Sequence, residues 1–265
     1  MIIIGEKINA SIKKTRRAIE EKDGEYLRDL AKRQVEAGSD CLDVNVGTGK
    51  DEIENMKWII KEIESVVSIS LVIDTADEAV LEAALKTLNT GIPIINSISA
   101  EKNMLKRFLP YIKEYKTQVI ALAMGKEGVP KDMETRLKNC AIISNECQKM
   151  GIDMENIFFD PLLVPQATDQ TQALITLKTI EEIKEEFPKS RTCFGLSNIS
   201  FGLPLRKLIN STFIAMAISR DLDAAILDPL DKKLMSVIKT AEMLIAKDKF
   251  CKGYIKAFRA EKLVY

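Results

Sequence analysis

Ser70-Leu71-Val72-Ile73-Asp74 and Ile92-Pro93-Ile94-Ile95-Asn96 carry one pattern twice: a short apolar, mostly β-branched run that stops on a polar side chain. Between them, residues 77–88 have apolar side chains at helical spacing. A parallel strand covered on both faces is apolar throughout, so such a run followed by a helix reads as one βα unit.

The unit repeats in both directions along the chain. Strands are expected at residues 2–4, 41–45, 70–74, 92–96, 118–123, 156–160, 192–196 and 224–227. Helices are expected at 24–37, 51–65, 77–88, 100–115, 132–150, 170–187, 204–220 and 232–247, the first closing at Gly38 as a C-terminal cap. Eight strands alternating with eight helices over 265 residues predict a (β/α)8 TIM barrel, one domain spanning 1–265. A doubly wound open sheet is the alternative with the same alternation.

The ends of the runs carry the chemistry. They are Glu6 with Asn9, Asp43 with Asn45, Asp74, Asn96, the Met124-Gly125 turn, Asp160, Ser197 with Asn198, and Asp228. In a parallel barrel all C-terminal strand ends open on one face, so these residues converge on one mouth. Any one of them could instead cap the next helix, and Asp228, which precedes Pro229, is expected to do so. Asp74, Asn96, Asp160 and Asn198 stand at or one residue past the last apolar residue of four strands, where side chains point into the mouth.

Composition removes several functions. Lys plus Arg and Asp plus Glu are 39 each, so no global field favours nucleic acid or an anionic membrane as partner. No apolar run approaches the roughly 20 residues that span a bilayer, and the first residues are too short for a secretory core, so a cytoplasmic protein is expected. Five dispersed cysteines without C-x-x-C spacing suit reduced, buried thiols. With no histidine, Ser-His-Asp and Cys-His catalysis are excluded, and no metal site is expected. Gly5 and Gly47 are expected in βα turns, and Gly195 at a strand end, where backbone or ligand approaches closely. Neither G-x-G-x-x-G nor a P-loop is present, which disfavours a nucleotide phosphate cradle.

Two carboxylates and two amides with no cation nearby in sequence describe a site that reads a neutral, flat, nitrogen-rich heterocycle. A carboxylate accepts two parallel N–H bonds from an amidine-like edge, and an amide donates and accepts to a ring carbonyl and its neighbour. A pterin presents such an edge.

Ile4-Gly5-Glu6-Lys7-Ile8-Asn9, Leu42-Asp43-Val44-Asn45-Val46-Gly47, Ile73-Asp74-Thr75, Ile95-Asn96-Ser97, Asp160-Pro161-Leu162 and Gly195-Leu196-Ser197-Asn198 together resemble the pterin-binding family. Within it they are similar to the methyltetrahydrofolate:corrinoid/iron–sulfur protein methyltransferases. The likeness runs in order over essentially the whole chain, through Asn210-Ser211-Thr212-Phe213 and Leu222-Asp223-Ala224-Ala225-Ile226. It implies a barrel whose mouth holds the pterin of methyltetrahydrofolate or tetrahydrofolate and docks a corrinoid (cobalamin) carried by a separate protein. It further implies pterin contacts from Asp74, Asn96, Asp160, Gly195, Ser197 and Asn198, with Asn198 mobile beside the methyl-bearing nitrogen. Supporting contacts fall to Glu6, Asn9, Asp43 and Asn45, and a homodimer is implied.

Transfer between that nitrogen and cobalt needs positive character on a poor leaving group, supplied by a proton or a hydrogen bond that strengthens in the transition state. Asn198 could supply the bond, with solvent delivering the proton through a network including Asn198 and Asp74, both read as catalytic. The direction of transfer stays open.

Two segments depart from the family pattern. Gly125 stands where the family suggests Asn, and Phe201-Gly202-Leu203-Pro204 replaces a more polar rim, which bears on the corrinoid partner or the folate tail, or on loop shape alone. Dihydropteroate synthase is an alternative, but Asp160-Pro161-Leu162-Leu163-Val164-Pro165 lacks that enzyme's glycine-rich, lysine-bearing continuation, and no Ser-x-Arg-His closes the chain. A non-catalytic folate- or corrinoid-binding module is the other alternative.

Overall fold

A computed structural model describes residues 1–47, 49 and 51–264. Its strands are β1 Ile2–Asn9, β2 Cys41–Asn45, β3 Ser70–Asp74, β4 Ile94–Ser99, β5 Gln118–Leu122, β6 Ile157–Asp160, β7 Arg191–Gly195 and β8 Ala224–Leu227. Each pairs in parallel with the next, and β8 returns to β1, so the sheet closes into an eight-stranded barrel. The open doubly wound sheet is thereby excluded.

Eight outer helices follow the expected rhythm: α2 Gly24–Glu36, α3 Glu52–Glu64, α4 Glu78–Thr87, α5 Lys102–Tyr115, α6 Met133–Lys149, α7 Gln172–Glu186, α8 Arg206–Ile218 and α9 Lys232–Leu244. Two more, α1 Lys13–Glu20 and α10 Lys252–Arg259, were not expected. Each is only eight residues long, too short for helical periodicity to declare itself. Gly38 has φ +109° after α2, and Ser39 N–H donates to Gln34 C=O at 3.0 Å, the closing bond of a Schellman end.

The barrel interior is built by counting in twos. Ile4, Cys41, Val72, Ile94, Ile120, Phe158, Cys193 and Ala224, one from each strand, pack into a single buried apolar layer. Side chains alternate faces along a strand, so the residue two positions later points the same way, one layer nearer the C-terminal end. Those residues are Glu6, Asp43, Asp74, Asn96, Leu122, Asp160, Gly195 and Ile226. An apolar floor therefore lies directly beneath a mainly polar ring. A second apolar shell, including Leu42, Ile73, Ile95, Val119 and Phe159, faces outward under the helices.

Some expectations are corrected. β1 runs on to Asn9 through a register irregularity between Gly5 and Ile8, so Gly5 lies inside a strand rather than in a turn. A Cβ on Gly5 would stand 2.5 Å from Gln34 Oε1, and that close approach is what the glycine permits. β4 starts at Ile94 because Pro93 has no N–H for the ladder. Asp228 does not cap α9: Asp231 does, accepting from Lys233 N–H at 3.1 Å and Leu234 N–H at 3.3 Å. Four of the five cysteines are buried, but Cys251 is exposed. No helix among the described residues is long and apolar enough to cross a membrane.

Candidate active site

The polar ring is cross-braced. Asn45 Nδ2 donates to Asp74 Oδ2 at 3.0 Å, and Asn96 Nδ2 donates to Asp43 Oδ1 at 3.1 Å. Both bonds hold an amide in one orientation. Asn45 Oδ1 accepts from Gly47 N–H at 2.8 Å, shaping the turn after β2. That turn has Gly47 at φ +75°, a conformation natural to glycine.

On the far side, β6 ends at Asp160, whose Oδ1 accepts from Leu162 N–H at 2.7 Å. β7 passes into a 3-10 turn, Leu196–Asn198. Ser197 Oγ lies 2.9 Å from both oxygens of Glu6, which ties this turn to β1. The Asn198 side chain is exposed and hydrogen-bonds to no described residue. Its Nδ2 stands 3.3 Å from where a Cβ on Gly195 would be, so glycine at that strand end keeps the amide clear. Asn9 lies at the rim, its Oδ1 accepting from Ser11 N–H at 2.9 Å.

Burial raises the proton affinity of the whole ring. Asp43, 2% exposed, is pushed well above the usual carboxylate range by burial and then by the Asp74 charge. Burial pushes Asp74 up as well, with the Asn45 bond opposing. Burial also raises Glu6 against the Ser197 bond, and takes Asp160 up to about 7 against the Leu162 N–H and the Arg136 charge. Carboxyl groups clustered in a low-dielectric mouth are all shifted toward their protonated forms, the direction that burial imposes on an acid.

Beside β1, β2 and β3 a cleft of about 1570 Å³ continues from this ring, lined by Asn9, Asn45, Asp74, Arg16 and Arg107 among others. Among the described residues no group of three histidine, cysteine, aspartate or glutamate side chains is disposed to hold a metal ion.

Although no cation is read near Asp74, Asn96, Asp160 and Asn198 in sequence, the fold brings cations to the mouth in space. Lys7 Nζ pairs with Asp228 at 2.9 Å, and Asp228 also accepts from Leu230 N–H at 3.0 Å. Arg206 Nη2 donates to Ser197 C=O at 2.7 Å, and Arg136 lies buried behind Asp160. Arg136 and Arg206 come from helices and Lys7 from the irregular part of β1, so reading polar strand ends passed over all three. At Gly125, a Cβ would be 3.3 Å from Asn139 Oδ1. An amide from α6 thus lies under the position where the family pattern suggests one.

A model described as "Pterin binding enzyme" matches residues 5–228. The chain is 34% identical over 266 residues to a methylcorrinoid:tetrahydrofolate methyltransferase of Eubacterium limosum, covering 99% of this chain and 98% of that protein. It is 30% identical over 240 residues to the methionine synthase of Mycobacterium tuberculosis, covering 85% of this chain but only 20% of that longer protein. Among solved structures, a dihydropteroate synthase of Coxiella burnetii in complex with pteroic acid superposes with a TM-score of 0.70 at 15% identity, covering 93% of this chain and 94% of that one. One from Vibrio fischeri gives 0.71 at 15% identity, covering 93% of each chain. At such identity these structures support the barrel alone.

Proposed function

This chain belongs to the pterin-binding enzyme family, and from that premise we propose that it is a methyltransferase working between tetrahydrofolate and the cobalt of a corrinoid carried by a separate protein. The observation that carries the reading is the braced ring of Asp43, Asp74, Asn96 and Asp160 above an apolar floor, with one unpartnered amide, Asn198, at its edge. Likeness over nearly the full length to a methylcorrinoid:tetrahydrofolate methyltransferase supports the same activity and the direction methylcorrinoid to tetrahydrofolate. The displacement is reversible in principle.

The residues fit the ligand. The floor offers a flat apolar base, Asp74 and Asp160 accept paired N–H groups from the pterin edge, and Asn96 turns its free oxygen to a ring N–H. Gly195 and Ser197 bring backbone close to the ring, while Glu6, Asn9, Asp43 and Asn45 hold the binding residues in orientation. The adjoining cleft has more room than a bicyclic ring needs, which suits the rest of a folate.

Asn198 acts on the reacting nitrogen. As a methyl group leaves, its amide hydrogen-bonds that nitrogen more strongly in the transition state than in the ground state, which lowers the barrier. An amide is no general acid, so the proton travels through solvent and a hydrogen-bonded network that includes Asn198 and Asp74. The corrinoid supplies the nucleophilic or methyl-bearing cobalt when its protein docks at the mouth.

We further infer a homodimer and a cytoplasmic site of action. Exposed Leu174 on α7 and Leu208 and Met216 on α8 suit a second copy, and five unpaired cysteines suit a reducing compartment. Sedimentation velocity tests the first.

The deciding experiment mixes the protein with cob(I)alamin and methyltetrahydrofolate, then a methylated corrinoid protein with tetrahydrofolate, and follows the methylcobalt absorbance. Gain in the first mixture and loss in the second are expected. An unchanged spectrum with tight folate binding would leave a binding module.

A further inference from the structure

Arg136, on the first turns of α6, is the largest fully buried side chain among the described residues, at 0% exposure. No carboxylate among the described residues lies within ion-pair distance of it. Its guanidinium instead donates to neutral acceptors on three segments of the C-terminal face. Nε and Nη2 reach Pro130 C=O at 3.2 and 3.1 Å, in the loop after β5. Nη1 reaches Pro161 C=O at 2.8 Å and Leu162 C=O at 3.0 Å, in the turn after β6. Nη2 also reaches Gln172 Oε1 at 2.6 Å, and Nη1 reaches Thr176 Oγ1 at 3.3 Å, both on α7.

A buried cation with only neutral partners is expensive, and packing alone would be served better by an apolar side chain of similar volume. Two of the three backbone carbonyls it grips belong to the residues immediately after Asp160. Leu162 sits there at φ +67°, unfavourable for a side chain with a Cβ, and its N–H is the one that holds Asp160 Oδ1. The fork thus fixes the peptide units whose geometry aims Asp160, and it adds a positive charge behind that carboxylate.

We infer that Arg136 is a positioning residue for Asp160: its planar fork sets the orientation of the carboxylate at the mouth, and its charge keeps that carboxylate available in ionised form. The orientation half of this inference concerns pterin binding and so rests on the proposed function. The charge half can be read in the unliganded protein. The titratable groups close enough to feel the Asp160 charge are Arg136 and Cys140 on α6 and Cys193 on β7. Both thiols are pushed above the ordinary range, mainly by burial, and stay protonated. Asp132, before α6, acts on Arg136 through its charge, and Glu186 on α7 acts on Cys140 in the same way. Of all these, only Arg136 is a cation.

The test follows the ¹³C carboxyl resonance of Asp160, assigned with Asp160→Asn, across pH in the unliganded wild type, Arg136→Lys, Arg136→Met and Gln172→Glu. Tetrahydrofolate affinity is measured on the same samples by calorimetry. An opposite charge nearby lowers a carboxylate by ~1–3 units, so Arg136→Met should raise the Asp160 midpoint by about 1 unit or more. Gln172→Glu, which sets a negative charge against the guanidinium, should raise it too. Arg136→Lys keeps the charge but cannot reach all three segments, so its midpoint should stay near wild type while folate binding weakens about tenfold. A midpoint unmoved in Arg136→Met overturns the inference. If that variant does not fold, an unmoved midpoint in Gln172→Glu overturns it instead. Wild-type protein that binds no tetrahydrofolate would count against the proposed function, while the midpoints would still decide the charge role of Arg136.

Discussion

Asn96 on β4 donates its side-chain amide to Asp43 on β2, at 3.1 Å, passing over the intervening strand β3. Side chains from alternate barrel strands meet in one layer, and this bond holds the Asn96 amide by its nitrogen. Asp43 is buried and pushed toward its protonated form, so it serves as an acceptor more than as a charge.

Asp43→Asn, which keeps an acceptor of the same shape, should therefore leave tetrahydrofolate affinity near wild type. Asp43→Leu removes the acceptor and frees the Asn96 amide to rotate, and affinity should fall about tenfold, or ~1.4 kcal/mol. Titration calorimetry separates the two. Equal losses would mean that the Asp43 charge itself is used.

The Asn198 side chain makes no hydrogen bond to a described residue, so Asn198→Ala should fold normally. If its amide strengthens its bond only as the methyl group moves, single-turnover rates should drop roughly 100- to 1,000-fold while folate affinity changes far less. Parallel losses in rate and affinity would make Asn198 a binding residue only.

The fold and the strand-borne part of the mouth were legible because strand periodicity is fixed at two. Val72 implies Asp74, Ile94 implies Asn96 and Phe158 implies Asp160, each a floor residue followed by a mouth residue. β2, β3 and β8 fell where the apolar runs put them. Arg136 was not legible. In Thr135-Arg136-Leu137-Lys138 it looks like a residue of a solvated helical face, and only the folding of the β6 turn over α6 buries it. Asp228 misled for a local reason: the helix begins at Lys232 as expected, but the adjoining Asp231 caps it, and Lys7 comes from a distant strand to take the Asp228 carboxylate.

Gly5 links packing to the site. An added methyl would meet Gln34 Oε1 at 2.5 Å and Ser39 Oγ at 2.9 Å, and that same Gln34 oxygen accepts from Lys7 N–H at 3.0 Å. Gly5→Ala should destabilise by ~1–3 kcal/mol through overpacking, and by displacing Gln34 it should disturb Glu6 and Lys7. Denaturant melts and folate titration of this variant should both worsen. A stability loss with intact affinity would uncouple β1 packing from the mouth.

The mouth also predicts how stability depends on pH. Glu6, Asp43, Asp74 and Asp160 are all raised in the folded protein, Asp160 to about 7, whereas unfolded carboxylates titrate near 4. Between those values the native state binds more protons than the unfolded state, so stability falls as pH rises through the window. Surface carboxylates lowered by their partners, such as Glu54 beside Lys57 and Asp132 at its Thr135 cap, act with the opposite sign, but below pH ~4.5. The Tm of the unliganded protein should therefore decline from pH 5 to about 7.5. Asp160→Asn, neutral throughout, should flatten part of that decline and stabilise the protein at pH 7.5 by on the order of 1–3 kcal/mol. The same change should weaken tetrahydrofolate binding, because the ionised carboxylate is what accepts the pterin N–H groups, and wild-type affinity should improve as pH rises through 7. A Tm that climbs across this range, or an Asp160→Asn variant less stable than wild type at pH 7.5, would show that the mouth is ionised at no expense to the fold.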